Sequence, residues 1–261
     1  MSEKKLASGT AAFSQEEYND YQTYLLSEAE WPGVNVGKDS HVTVNIPMLI
    51  MELFRLVPYK ENRYVHFHPF NMPHVKVRKI ELVGIVMNIR RNVNTLFLTI
   101  QDGTGVAQVN YQVEKYASLL KQRKEIDEKY REQARNLRMY KTSTAIQDYP
   151  KKFPEIRPNF SYTDNVSFQD KAVLENKWSS ETNNGLLGKE IQLLDYVYIN
   201  GYPCLDGMFQ KIPEEGVTTE FTEYARLTVF AVSVTCISEK TYNEKLSMWM
   251  NTVICRRYTK K

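Results

Sequence analysis

The chain has 261 residues, 42% apolar and 25% charged, a balance that supports a buried core in one sizeable domain or two small ones. Its net charge of +3 permits an acidic partner without announcing one, and its three cysteines exclude a disulfide framework and fit a reducing compartment. No apolar run approaches the roughly 18 residues that would span a bilayer, and the N-terminus lacks a signal-peptide core.

Residues 1–40 mix small, polar and acidic side chains. Ser14, with Glu17 three residues on, suits a helix start, and Pro32-Gly33 breaks the segment. The stretch is expected to be a mobile or loosely docked tail, with the folded domain covering 41–261. Met48–Leu56 is apolar nearly all round and follows Pro47, which predicts a buried helix. Tyr64–Phe70 alternates and predicts a short strand or extended segment.

Apolar and polar residues alternate from Ile80 to Ile89 around Gly84. That is a half-buried strand with a bulge or a close backbone approach at the glycine. After the polar break at Arg90 to Asn94, Thr95–Ile100 is a second strand. Asp102-Gly103-Thr104-Gly105 is a tight turn, and Val106–Tyr111 a third strand. Three consecutive antiparallel strands, the first long and coiled, open a small five-stranded Greek-key barrel.

Glu114–Met139 predicts a long helix, with Tyr116, Leu119, Arg123, Ile126, Tyr130, Ala134 and Leu137 on one face. Tyr140–Gly185 has three prolines, many Asn and Ser and no sustained period. We expect 113–186 to be a helical and disordered insertion, its second part unable to supply a core of its own. Ile191–Tyr202 predicts the fourth strand, Cys204–Glu223 a loop and Arg226–Val234 the fifth strand. Glu239–Ile254 predicts a C-terminal helix.

From Ile46 to Tyr111 the order of features is a helix, the His/Pro segment YVHFHPFNMPH, the strand IELVGIVMNI, then FLTIQDGTGVAQV. This resembles the OB-fold of the replication protein A middle subunit, and still more its telomeric relative, the Stn-type subunit of the CST telomere-capping complex. Ile191–Val253 resembles the same family more loosely, with Leu194 where that family has a glycine. The implied fold class is β-rich with flanking helices. It is a five-stranded Greek-key OB-fold barrel with an N-terminal helix, a large insertion between strands 3 and 4, and a C-terminal helix at 239–254. The family's usual C-terminal winged-helix pair has no counterpart in this sequence. Either the chain is a piece of a longer one or the lineage lacks the pair, and some family partnerships are then expected to be missing.

The implied function is that of a non-catalytic subunit of a telomeric single-stranded-DNA-binding complex. It would cap chromosome ends in the nucleus and help to regulate telomerase and polymerase α-primase. The implied partners are a small Ten-type OB-fold subunit, a large telomeric DNA-binding subunit, telomeric single-stranded DNA and DNA polymerase α-primase. The alternatives are a general single-strand binder like the replication protein A middle subunit and an OB-type tRNA-binding module.

An OB-fold binds single strands over its second and third strands by aromatic stacking and phosphate contacts. Phe97 is the first stacking candidate, against packing under the insertion helix. Arg90 and Arg91 are phosphate candidates, against simple solubility charges. Tyr111 stands near the family's third-strand aromatic, although Gln112 is arguably the matching position, so strand binding by this chain alone is expected to be weak. Tyr202 and Phe209 flank the last barrel loop. On the C-terminal helix Tyr242, Leu246, Trp249, Met250 and Val253 share a face, read as the surface for the small partner, against folding back onto the barrel. His66, His68, His74 and Cys204 lack zinc-site spacing, so no metal is expected. No cofactor is expected either, and the chain contains no GxSxG, HExxH, P-loop or GxGxxG motif.

Overall fold

The computed structural model describes residues 46–61, 64–69, 77–137, 156–163, 166–206 and 226–255. The tail at 1–40, Phe70 to Lys76 with His74, and the loop carrying Phe209 lie outside them.

Eight strands are described: β1 (Ile46–Pro47), β2 (Leu56–Glu61), β3 (Tyr64–Pro69), β4 (Ile80–Arg91), β5 (Thr95–Gln101), β6 (Val106–Gln112), β7 (Tyr196–Leu205) and β8 (Leu227–Ile237). The large sheet runs β1-β4-β5-β6-β8-β7, and β4 also pairs with β7. That last ladder closes β4, β5, β6, β8 and β7 into a five-stranded barrel. Only β6 and β8 run parallel within it; its other ladders are antiparallel. Counted along the chain, the barrel order is first, second, third, fifth, fourth, and back to first. This is the OB fold.

Alternation decides which side chains fill it. On β5, Leu96, Leu98 and Ile100 are buried while Thr95, Phe97, Thr99 and Gln101 are partly exposed. On β7, Val197, Ile199, Gly201, Pro203 and Leu205 point in. Gly84 makes the close approach its place in the sequence predicts. A Cβ there would stand 3.1 Å from the Gln101 carbonyl oxygen. The bulge itself falls between Val86 and Asn88.

The first helix is shorter than the sequence predicts. α1 spans only Ile50–Leu53, and Leu56 opens β2, which pairs with β3 in a hairpin. An apolar run broken only by Glu52 and Arg55 suits a buried strand as well as a buried helix, and here tertiary pairing decides. α1 is short enough to need outside partners for its amides. Leu49 N–H donates to Glu52, Ile50 N–H to Asp102 Oδ2 at 2.8 Å and Met51 N–H to Thr104 Oγ1 at 3.1 Å. The Asp102–Gly105 turn therefore caps a helix while reversing the chain.

Between β6 and β7 lie α2 (Val113–Arg135) and α3 (Phe168–Glu181). The lack of periodicity noted at 140–185 conceals α3. Its Leu174 and Trp178 pack with Ile126, Tyr130, Ala134 and Leu137 of the α2 side into a second apolar cluster. Trp178 donates its indole N–H to Asp127 Oδ1 at 2.8 Å, and the Arg123 guanidinium lies 4.8 Å from the indole centroid. The described part of 140–185 contributes to a core shared with α2, which provides the opposing face.

α4 (Glu239–Met248) continues into a π-helical turn, Trp249–Ile254. It folds back onto the barrel. Tyr242, Trp249 and Ile254 pack with Leu49 and Val83, and Ile85, Tyr196, Tyr198 and Ile237 close around them.

Candidate nucleic-acid interface

A closed barrel has one outer surface, and among the described residues α4 and its π-helical continuation cover one side of it. The covered half is built by the outward residues at the start of β4 and of β7 and the end of β8. Beyond the β4 bulge the outward residues are Met87, Asn88 and Arg90, all exposed. The other half belongs to β5, β6, the start of β8 and the end of β7.

One rung crosses this half from strand to strand. Arg90 pairs with Phe97, Phe97 with Asn110, Asn110 with Phe230, and Phe230 with Tyr202. Residues directly opposite in a ladder point to the same side. The chain neighbours of Phe97, Asn110, Phe230 and Tyr202 are all buried, so this side is the outside. The last link depends on a register shift between Asn200 and Gly201, where a Cβ on Gly201 would lie 2.6 Å from the Phe230 carbonyl oxygen. Without a side chain there, β7 approaches closely enough to set Tyr202 beside Phe230. Lys79 ends the row, its ammonium 5.8 Å from the Tyr202 ring centroid.

The row therefore reads Arg, Phe, Asn, Phe, Tyr, Lys, with a cation at each end and three rings between. With ordinary strand spacing, Phe97 and Phe230 stand about 10 Å apart across Asn110. Among the described residues, neither phenylalanine belongs to an apolar cluster. The insertion helix sends Val113 and Tyr116 into the barrel core, where the Tyr116 hydroxyl accepts from Ile191 N–H, and no apolar cluster of the described residues joins it to Phe97. The neighbouring rung is polar. Thr99 faces Gln108, and the Gln108 amide is bound to the Thr99 hydroxyl at 3.0 Å.

The sequence-predicted residues divide accordingly. Phe97, Arg90 and Tyr202 lie in the row. Arg91 is exposed at the start of the β4–β5 turn, paired with Leu96 rather than within the row, and Asn92 Oδ1 ties that turn by accepting from Asn94 and Thr95 N–H. Tyr111 is a correction. It points into the barrel at 1% exposure, and burial pushes its phenol up, so its ring lies in the core and not on the outer face. Phe209 lies outside the described residues. Phe230, Asn110 and Lys79 were missed. Phe230 sits in RLTVFAVSV, which is apolar on both faces and shows no period, whereas pairing with Asn110 reveals it at once.

The C-terminal face also changes. Tyr242 and Trp249 are buried on their own barrel and Leu246 is partly buried beside them, so these three do not form an open partner surface. The barrel closes without covering the outward Val83 and Ile85, and the aromatic face of α4 is what shields them. Met250 and Met248 are about half exposed, and the side chain of Val253 is outside the described set. His66 and His68 flank the Tyr59 ring at 5.6 and 5.5 Å. Among the described residues no group of three or more His, Cys, Asp or Glu stands where it could hold a metal.

No protein-family profile and no curated protein matches the chain. Solved structures resemble it at low identity. A replication protein A heterotrimer bound to single-stranded DNA matches at 13% identity and TM-score 0.36, covering 80% of this chain and 93% of that one. The S. pombe Stn1–Ten1 complex matches at 11% identity and TM-score 0.38, covering 81% and 90%. Yeast replication protein A bound to single-stranded DNA matches at 13% identity and TM-score 0.35, covering 83% and 92%. These likenesses describe fold alone.

Proposed function

We propose that this chain is a non-catalytic OB-fold subunit that binds single-stranded nucleic acid across the open half of its barrel. The observation that carries the reading is the rung Arg90, Phe97, Asn110, Phe230, Tyr202 with Lys79 at its end. Outward aromatic rings at strand spacing are stacking platforms, each worth about 1–3 kcal/mol per base. Cations at the two ends suit phosphates entering and leaving the row.

The finer reading is a telomeric one: a nuclear subunit of a CST-like complex that caps chromosome ends and acts with a small Ten-type OB subunit, a large telomeric DNA-binding subunit and DNA polymerase α-primase. The support is the order of helix, His/Pro segment, glycine-bearing strand and Asp-Gly-Thr-Gly turn in the sequence. A small partner would then meet the exposed side of the C-terminal helix around Met248 and Met250.

The test is equilibrium binding of labelled single-stranded oligonucleotides, duplex and tRNA, with co-purification from an extract of the source cells. Single-strand binding in preference to duplex and tRNA, together with a small OB-fold protein in the co-purified fraction, supports both readings. Single-strand binding with a replication-protein-A set instead favours the general binder. Preference for tRNA or duplex sinks the proposal.

A further inference from the structure

Asn110 stands between the two phenylalanines of the row, opposite Phe97 on one side and Phe230 on the other. It is half-buried and points outward between buried Val109 and Tyr111. Its amide makes no hydrogen bond to any described residue. The contrast with the next outward residue on the same strand is sharp. The Gln108 amide is held by Thr99, at 3.0 Å from its nitrogen and 3.3 Å from its oxygen. One amide on this face is committed to the protein and the other is left open between two rings.

An asparagine amide presents one acceptor beside one N–H donor. A base stacked on either ring brings its edge to that amide. Adenine offers an amino N–H beside a ring-nitrogen acceptor on both of its free edges. Cytosine offers an adjacent donor and acceptor on one edge only, and guanine offers one such pair on its Watson–Crick edge and a second only on the sugar edge, where the ribose crowds the approach. Thymine can pair with an amide, but its single ring stacks over less of a phenyl face. An amide bidentate to adenine is also the pairing this side chain makes with bases in duplex grooves.

We infer that Asn110 is a base-reading residue, and that the Phe97–Asn110–Phe230 rung forms a subsite selective for adenine in a single strand. This rests on the single-strand reading above and adds a base preference that stacking alone does not give, because every base has a π-face.

The test uses the full chain and short oligothymidines that differ at one central position, which carries adenine, guanine, cytosine or thymine. Wild type should bind the adenine oligomer at least about fivefold tighter than the others, the low end for one bidentate amide–base pair. Asn110→Ala should bind all four at the weaker level. Asn110→Asp, nearly isosteric but without the donors, should lose the adenine preference and move towards guanine, whose N1–H and amino group suit a carboxylate. Melting curves check that both variants fold, and if the alanine variant does not, the aspartate variant decides. Equal wild-type affinity for all four oligomers overturns the inference and leaves single-strand binding intact. So does an adenine preference that survives both substitutions. Absence of binding to any oligomer overturns the single-strand reading and this one with it.

Discussion

Arg90 stands directly opposite Phe97 on the outer face of the β4–β5 ladder, so a fixed charge and a stacking surface share one rung. The two contribute to binding in separable ways. Phe97→Ala or Phe230→Ala should weaken single-strand affinity by about 1–3 kcal/mol each and leave its salt dependence alone. Arg90→Ala with Arg91→Ala should flatten the log–log salt slope by about 0.7 for each phosphate that is no longer neutralised. None of these side chains fills the core, so melting temperatures should hold. Fluorescence anisotropy across a salt series reads all of this. An unchanged slope in the double arginine variant would take both residues off the path of the strand.

Trp249 should behave as a core residue. It is 2% exposed, and its truncation to alanine should cost about 3–5 kcal/mol in denaturant unfolding, the usual penalty for a large buried aromatic. Met250→Glu and Met248→Glu change exposed positions and should leave unfolding unchanged. Loss of a co-purifying small protein in the methionine variants would locate the partner surface. The same loss in a Trp249 variant would report damage to the barrel.

Asp102 ties two elements together. Its Oδ1 accepts from the Thr104 amide and hydroxyl, and its Oδ2 from the first amide of α1. Asp102→Ala leaves buried donors unmet, so about 1–3 kcal/mol of stability should be lost. Asp102→Asn keeps one acceptor and should lose less. Equal destabilisation by the two would show that shape, not hydrogen bonding, sets the cost.

Much of the barrel was legible because β4 to β7 alternate, and alternation is the direct trace of one wet and one dry face. It failed where that contrast disappears. Met48–Leu56 is apolar but for Glu52 and Arg55, so helix and strand looked alike until β2 found β3. The α3 segment carries few apolar residues, and its stripe has meaning only against α2. Phe230 hides in a run apolar on both sides, and the open row emerges only when four ladders align. Of the face read on the C-terminal helix, Tyr242, Leu246 and Trp249 turn to one side while Met250 is exposed, and the chain cannot announce whether such a face is covered by its own barrel or by another protein.

Two phenols are pushed up to about 12. Burial is the main cause in each, followed by a carboxylate acceptor, Glu181 for Tyr130 and Glu81 for Tyr198. A tyrosine whose folded pKa is raised holds a proton that the unfolded chain gives up near 10. The stability it contributes is complete below about pH 10 and is lost as pH rises towards 12. Ultraviolet titration should show these phenols ionising late and together with unfolding. Tyr198→Phe should make the alkaline loss of stability shallower, and an unchanged limb would clear Tyr198 of any part in it.

The indoles of Trp178 and Trp249 sit in different clusters, one between α2 and α3, the other between α4 and the barrel. With Trp31 replaced by phenylalanine, the molecule would carry one tryptophan in each of these two clusters. Emission from each could then be followed alone by removing the other. Within one such variant, indole emission and the circular dichroism of the whole chain that coincide through denaturation would make barrel and insertion a single cooperative body, and displaced curves would make them two. The same pair of indoles would also register, without any label, whether a strand settling on Phe97 and Phe230 is felt at the far side of the insertion.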